Sequence, residues 1–181
     1  MELSVFKRDG IKKSETKQIR LKGGVPAVIY GGASGGESIY VSRAEFATIL
    51  RTVPKGKLAT RVIDLKGKGS AIVKEIQYHP TTYEILHIDF ELLGKKQIRV
   101  NVPITIIGER DCNGLKLGGI LRLVIRSVKV RCLPEHLPGE FVVDVADMSI
   151  GGAKRLSDIE MPKNVVPLAS LGQVAVVIAK R

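Results

Sequence analysis

Apolar and polar side chains alternate between residues 86 and 91, and this pattern constrains the fold more than any other stretch. The even-numbered residues are apolar (Leu86, Ile88 and Phe90), and the odd-numbered residues are polar (His87, Asp89 and Glu91). Successive side chains of a β-strand point to opposite faces, so the pattern predicts a strand that buries its apolar stripe. His87 and Asp89 are then expected side by side on the polar face.

Other strand signals dominate the first half of the chain. They are short runs rich in β-branched residues or Tyr, separated by Gly, Pro or charged turns. The predicted strands are Leu3–Lys7, Val25–Tyr30, Ser38–Val41, Thr60–Leu65, Ala71–Tyr78 and Ile85–Leu92. Lys66-Gly67-Lys68-Gly69 is typical of a hairpin tip. The Gly-rich run 31–36 lacks the spacing of a phosphate-binding loop and is interpreted as a turn.

One helix is predicted in this half. Ser42 is a favourable N-cap, and Glu45 three residues later would complete a capping box. Phe46, Ile49 and Leu50 form its apolar stripe, and Pro54 ends it after Val53.

Leu93-Gly94-Lys95-Lys96 is the expected seam between two domains, 1–93 and 94–181. The second part has no helical periodicity, and its predicted strands are Ile98–Ile107, Leu121–Cys132, Phe141–Val145 and Val174–Ala179. Pro103 indicates an edge strand or a bulge, because proline cannot donate to a sheet ladder. The predicted fold class is mainly β with a few short helices, as a small N-terminal β-barrel with helices followed by an all-β domain.

The charge of the chain indicates a polyanionic partner. Among 181 residues, 29 are Lys or Arg and 18 are Asp or Glu, which gives a formal net charge of +11. The excess is patchy. Residues 1–22 contain seven bases and three acids, residues 110–131 contain six bases and one acid, and residues 133–160 contain six acids and two bases. Nucleic acid is the commonest intracellular polyanion.

Several other classes of protein are disfavoured. No apolar run approaches the length of a membrane helix, and the N-terminus has no secretory h-region. Cys112 and Cys132 are the only cysteines, which fits a reducing cytosol, and Cys132 is interpreted as a small buried thiol. No nucleophile elbow is present, so nucleophilic catalysis is not expected.

A metal site is one alternative. His87-x-Asp89 with His136 has the order of the two-histidine, one-carboxylate triad of non-haem iron oxygenases, and His79 is a possible substitute ligand. A nonspecific RNA chaperone is the other alternative, since it would need only the basic charge.

RNA binding uses more of the chain. Bases of the 7–22 segment, which is interpreted as mobile, can neutralise phosphates, and polar groups on a rigid strand can read base edges or 2′-hydroxyls. A carboxylate such as Asp89 is repelled by phosphates unless it accepts from a guanine amino group or a ribose hydroxyl. Asp89 is therefore predicted to give specificity.

The chain resembles bacterial large-subunit ribosomal protein twenty-five, the 5S ribosomal RNA-binding family. The matching blocks are Val25-Pro-Ala-Val-Ile-Tyr-Gly31, Gln77-x-His79-Pro80 and His87-Ile-Asp-Phe90, preceded by Ile19-Arg20-Leu21. The remainder is similar to the long form of that family, the general stress protein CTC. Those matches are Val102-Pro103, Gly118-Gly119-Ile-Leu121, Val130-x-Cys132-x-Pro134, Val143-Asp144-Val145 and Ile150-Gly151.

The resemblance implies a cytoplasmic, ribosome-bound, non-enzymatic protein without a cofactor. Its first domain would grip the minor-groove side of a non-Watson–Crick internal loop of 5S RNA, and its second could meet neighbouring ribosomal proteins. The implied contact residues are Arg20, Tyr30, Gln77, His87 and Asp89. The family usually has paired arginines where this chain has Lys17 and Gln18. Binding is therefore expected to rest more on Arg8, Lys13 and Arg20, with Lys17 keeping charge but not the bidentate fork.

Overall fold

The computed structural model describes residues 1–8, 13–32 and 35–180. The chain divides into two compact units, Met1–Lys96 and Gln97–Arg181. Within the described ranges, no helix is both long enough and apolar enough to cross a membrane.

The first unit contains one seven-stranded sheet. Its strands are β1 Glu2–Leu3, β2 Val5–Lys7, β3 Gly24–Gly32, β4 Gly35–Ser42, β5 Val62–Leu65, β6 Gly69–Tyr78 and β7 Ile85–Leu92. The order is β1-β5-β6-β7-β3-β4-β2. The strands β1 and β2 are separated in sequence only by Ser4, yet they lie at opposite ends of the sheet. The N-terminal segment therefore brings the two edges together in a nearly closed, barrel-like sheet, as predicted. The hairpin at residues 66–69 is also confirmed, since Leu65 pairs with Gly69.

The helix α2 spans Arg43–Thr52 with Ser42 as its N-cap, close to the predicted bounds. The predicted capping box is wrong, because the Ser42 side chain makes no capping hydrogen bond. Instead, the Ser4 backbone N–H donates to Oε2 of Glu45 (2.9 Å). The carboxylate thus provides a hydrogen-bond acceptor for the backbone N–H of Ser4, the one residue between β1 and β2. The local sequence around Glu45 gives no sign of this distant partner.

The core of this unit lies between the sheet and α2. Phe46 and Phe90 are fully buried and meet edge to face, with ring centroids 6.4 Å apart. Ile88 on β7 is also fully buried, as the alternation predicts. Leu86 is only partly buried, and Ile85 is buried in its place, because the register of β6 and β7 shifts between Gln77 and Tyr78.

The interpretation of residues 7–22 as mobile is wrong for its second half. Lys13–Leu21 forms the helix α1, whereas Lys12 lies outside the described residues. The helix packs over the start of β3, where a Cβ added at Gly24 would lie 2.7 Å from Cγ2 of Ile19. Only glycine permits this close approach. Because the sequence gives α1 a narrow apolar face and α1 buries no residue completely, tertiary packing decides its formation. Residues 33–34 of the predicted Gly-rich turn also lie outside the described ranges.

The second unit contains two sheets. Its elements are β8 Ile98–Ile107, α3 Asn113–Lys116, β9 Ile120–Leu123, β10 Ser127–Cys132, β11 Phe141–Asp144, β12 Ala153–Arg155, β13 Val166–Pro167 and β14 Val174–Ala179. The sheet orders are β11-β8-β10-β13 and β12-β14-β9. Short 3-10 turns span Pro134–His136 and Leu156–Asp158 in this unit and Leu58–Thr60 in the first. Cys132 is buried as predicted, and that burial raises the pKa of its thiol.

Two predictions for this unit are wrong. The single strand 121–132 is two strands in different sheets, because the Val124 N–H bonds to the Ala175 carbonyl and the chain crosses over. Pro103 lies in an interior strand, without a bulge. It is tolerated there because pairing with β10 ends at Pro103 and pairing with β11 begins at Ile104.

Candidate nucleic-acid interface

The outer face of β7 carries the His-x-Asp pair. Nδ1 of His87 lies 2.8 Å from Oδ1 of Asp89, and the two side chains are 22% and 23% exposed. Ile88 between them is fully buried, so the strand fixes both polar side chains on the same surface. The pair therefore forms one closely spaced polar unit that remains partly accessible.

Neighbouring strands extend this surface. On β6, Gln77 pairs with His87 and Glu75 pairs with Asp89. On β3, Val28 lies beside Asp89 and Tyr30 beside Glu91. Paired residues of adjacent strands share a face. The structure thus brings Gln77, Tyr30, His87 and Asp89 onto one surface. Tyr30 is 45% exposed, so about half of its surface is accessible on this face.

Helix α1 places cationic side chains beside this surface. The Arg20 guanidinium donates a hydrogen bond from Nη2 to the carbonyl of Leu86 (3.0 Å), the residue before His87. The Nε of Arg20 is buried and has no partner within the described part of the chain. Lys13 and Lys17 are exposed on the same helix, and helical spacing places them on the side that also carries Arg20. Arg20 therefore attaches the cationic helix to the strand that carries the His-x-Asp pair.

Arg8 joins the same group from the end of β2. Its Nη1 donates to the Thr16 hydroxyl of α1 (3.2 Å), and its backbone N–H donates to the Ser38 carbonyl (3.1 Å). All four predicted basic residues thus lie on α1 or are bonded to it.

Sequence reasoning missed an aromatic pair on this unit. Phe6 of β2 pairs with Tyr40 of β4, and their rings stack with centroids 5.0 Å apart and planes inclined by 18°. Phe6 is 47% exposed. Tyr40 in turn pairs with Pro26, which is two residues from Val28 on the outer face. The available signal was a lone aromatic residue in each of two predicted strands. Their pairing depends on β2 joining the far edge of the sheet.

The metal alternative lacks a ligand set. Across residues 1–8, 13–32 and 35–180, no three His, Cys, Asp or Glu side chains are grouped to hold a metal ion. His136 belongs to the other unit. Nδ1 of His79 instead lies 3.1 Å from the Thr81 hydroxyl, within the turn between β6 and β7. These positions give the oxygenase hypothesis no structural support.

The chain matches known proteins over nearly its whole length. Residues 3–90 match the Ribosomal L25p family, and residues 97–181 match the family described as ribosomal protein TL5, C-terminal domain. The chain is 43% identical to the large ribosomal subunit protein bL25 of Chlamydia trachomatis serovar L2. It is 41% identical to that of Chlamydia muridarum and 38% identical to that of Chlamydia pneumoniae, with 100% of both chains covered each time. Each of the two units is thus covered by its own family match.

Proposed function

Because this chain belongs to the ribosomal L25p family of large ribosomal subunit proteins, we propose that it binds 5S ribosomal RNA through residues 1–93. In this proposal it is a structural, non-enzymatic component of the large subunit in the cytoplasm. The observation that carries the proposal is the hydrogen bond from Arg20 to the Leu86 carbonyl. It joins a cationic helix, suited to phosphates, to a rigid polar strand, suited to base edges and riboses.

The helix α1 and the end of β2 supply the electrostatic part. Lys13 and Lys17 are exposed, and a lysine ammonium is a mobile point charge that can follow a phosphate backbone. Arg8 and Arg20 are anchored by protein acceptors and are therefore held in place before RNA arrives. Fixed guanidinium groups lose less conformational entropy on binding than free ones. The lysines then provide attraction, and the arginines set the position of the RNA.

The strands β6 and β7 supply the side chains that would recognise base edges and riboses. The Oδ1 atom of Asp89 is engaged by His87, which orients the carboxylate and leaves Oδ2 for an RNA donor. A guanine amino group or a ribose 2′-hydroxyl in a minor groove is such a donor. Gln77 lies opposite His87 and offers both an amide donor and a carbonyl acceptor. This row is suited to the wide, shallow minor groove of a non-Watson–Crick internal loop.

Exposed aromatic rings add a third contribution. Phe6 rests one face on Tyr40, and Tyr30 stands on the face that carries Asp89. Unpaired bases of RNA stack on such rings. We assign Phe6 and Tyr30 to unstacked bases at the margin of the internal loop.

The test is a binding titration of the full chain against 5S ribosomal RNA and a length-matched control RNA, with excess nonspecific competitor at moderate salt. Selective binding of 5S RNA is expected. Equal binding of both RNAs would contradict the proposal and favour a nonspecific RNA chaperone. Stoichiometric iron that is lost on His87→Ala would favour the metal alternative instead.

A further inference from the structure

A cleft in the second unit runs along the free edge of β11. This strand has one neighbour in its sheet, the parallel strand β8. All four residues Phe141–Asp144 line a cavity of about 510 Å³. The side chains of Phe141 and Val143 are buried, whereas Val142 and Asp144 are exposed. The cavity therefore runs along the whole length of the strand.

The direction of the backbone groups follows from one hydrogen bond. The Val145 N–H donates to the Ile107 carbonyl of β8 (3.0 Å). Backbone groups alternate along a strand, so those of Val143 also face β8, whereas those of Val142 and Asp144 face the cleft. Neither residue's backbone groups have a partner within the described part of the chain. The edge thus offers two N–H donors and two carbonyl acceptors to an added strand.

The opposite wall of the cleft is acidic. It is formed by the segment that contains Lys154, Asp158 and Glu160, and Asp144 adds a further carboxylate from β11. Asp158 is held by the Arg155 N–H (2.9 Å) and the Ser157 hydroxyl (3.0 Å), and these bonds lower the pKa of its carboxyl group. Glu140, immediately before the strand, accepts a hydrogen bond from the Thr105 hydroxyl. The carboxylates outnumber the single ammonium, so the walls repel RNA and attract cations.

We propose that this cleft binds an extended, lysine- or arginine-rich protein segment, which adds to the free edge of β11 as a further strand. Strand addition supplies affinity through main-chain hydrogen bonds, and side chains alternating along the segment supply specificity. Every second residue of the segment would point a cation toward Asp158 and Glu160. A short edge strand with charged residues is also a common protection against aggregation. Here, however, the charges on and next to the edge strand, Asp144 and Glu140, are both negative and face a second wall with a negative excess, which suits a guest strand of opposite charge.

The inference concerns Gln97–Arg181 only and does not depend on RNA binding by the first unit. The probe is a fluorescein-labelled peptide of alternating lysine and valine, titrated with the full chain at low salt. The comparison peptides replace lysine by glutamate or N-methylate alternate backbone amides. Saturable binding is expected for the lysine peptide alone, because the N-methyl groups remove the donors that a ladder requires. Equal binding of the N-methylated peptide would overturn strand addition.

The matched protein variants test the location of the site. We expect the double variant Asp158→Asn with Glu160→Gln to weaken peptide binding about five- to tenfold, from the loss of two exposed charge contacts. The control double variant Glu135→Gln with Asp147→Asn makes the same charge change at exposed positions outside the cleft, and its binding should match that of the parent chain. Equal loss in both double variants would overturn the assignment to this cleft.

Val142→Pro removes one outward N–H at an edge position and should also abolish peptide binding. Its circular dichroism melt checks that the variant is folded; if it is not, the N-methylated peptide answers the same question with the unaltered protein. Sedimentation equilibrium tests a second copy as the occupant. A dimer that excludes the peptide would overturn the proposal.

Discussion

Nδ1 of His87 lies 2.8 Å from Oδ1 of Asp89 on the outer face of β7. The two residues are separated by the fully buried Ile88, so a shift of the backbone that carries them would require movement of the core. The backbone positions of the pair are therefore fixed before any ligand binds. In the proposed RNA complex, this arrangement would distinguish Asp89 from a carboxylate on a mobile surface loop.

Asp89→Ala should reduce selectivity for 5S RNA over control RNA, although the variant is more positive. Loss of one well-placed base or ribose contact corresponds to about 1–3 kcal/mol of discrimination. The measurement is the ratio of Kd values for the two RNAs in parallel titrations. Asp64→Ala makes the same charge change on β5, where the carboxylate accepts from Ser70, and serves as the control. Tighter 5S binding by the Asp89 variant with unchanged selectivity would show that Asp89 is a bystander.

The affinity for 5S RNA should fall steeply with salt. Neutralisation of about five or six phosphates gives a slope of log K against log salt of roughly −4 to −5. Titrations at several potassium chloride concentrations give the slope directly. A value near zero would remove the electrostatic part of the proposal, whatever the affinity at low salt.

Gln18→Arg should increase affinity for 5S RNA. Residue 18 is exposed on α1 next to Lys17, and an added guanidinium there can grip a phosphate with two hydrogen bonds. The salt slope should become steeper by about 1. Gln18→Lys is the comparison, since it adds the positive charge without the two parallel hydrogen bonds that a guanidinium group can donate. If both variants bind no better than the parent chain, this part of α1 does not face the RNA.

Phe6→Leu should weaken 5S binding while keeping an apolar residue on β2. Stacking of one base on an aromatic ring contributes about 1–3 kcal/mol. Phe6→Tyr retains the ring and should bind nearly as well as the parent chain. Because Phe6 also stacks on Tyr40, melting curves are needed to show that both variants stay folded. Unchanged affinity in the folded leucine variant would restrict the Phe6–Tyr40 pair to a structural role.

Glu45→Ala should loosen the closure of the sheet. Its carboxylate accepts the Ser4 N–H (2.9 Å), and hydrogen bonds to charged groups contribute about 1.5–3 kcal/mol, less where exposed as here. Amide hydrogen exchange should become faster at Ser4 and in β1 and β2, with little change in β6 and β7. Arg51→Ala, at an exposed position of the same helix, is the control for loss of helix stability. Uniform acceleration throughout the unit would indicate global destabilisation instead.

The strands and α2 were predictable because their signals are local. The bounds of β7, β8 and β14 match the sequence patterns, since alternation or a β-branched run between turn residues specifies a strand over its own length. The ribosomal family was also identifiable, because its sequence blocks are short and local, and the matches confirm it. His87 and Asp89 share one face for the same local reason, whereas Gln77 joins them through the pairing of β6 with β7.

The misses involve partners that are distant in sequence. Helix α1 has few apolar residues and depends on Gly24 and Leu86, which lie far from it in the chain. The Glu45 carboxylate bonds to Ser4 rather than to its own helix terminus. Pro103 is accommodated because pairing of β8 with β10 ends at this residue and pairing with β11 begins at the next one. None of these interactions has a local signature.

The sequence by itself determined the β-rich class, the cationic charge and the family, because composition, alternation and short sequence blocks are properties of the chain alone. Tertiary structure decided which residues meet. It attached Arg20 to the strand of His87, stacked Phe6 on Tyr40, and left the edge of β11 open beside Asp158 and Glu160. These contacts join residues tens of positions apart, or depend on which strand has no neighbour. Strand order is a property of the whole sheet, and no single segment specifies it.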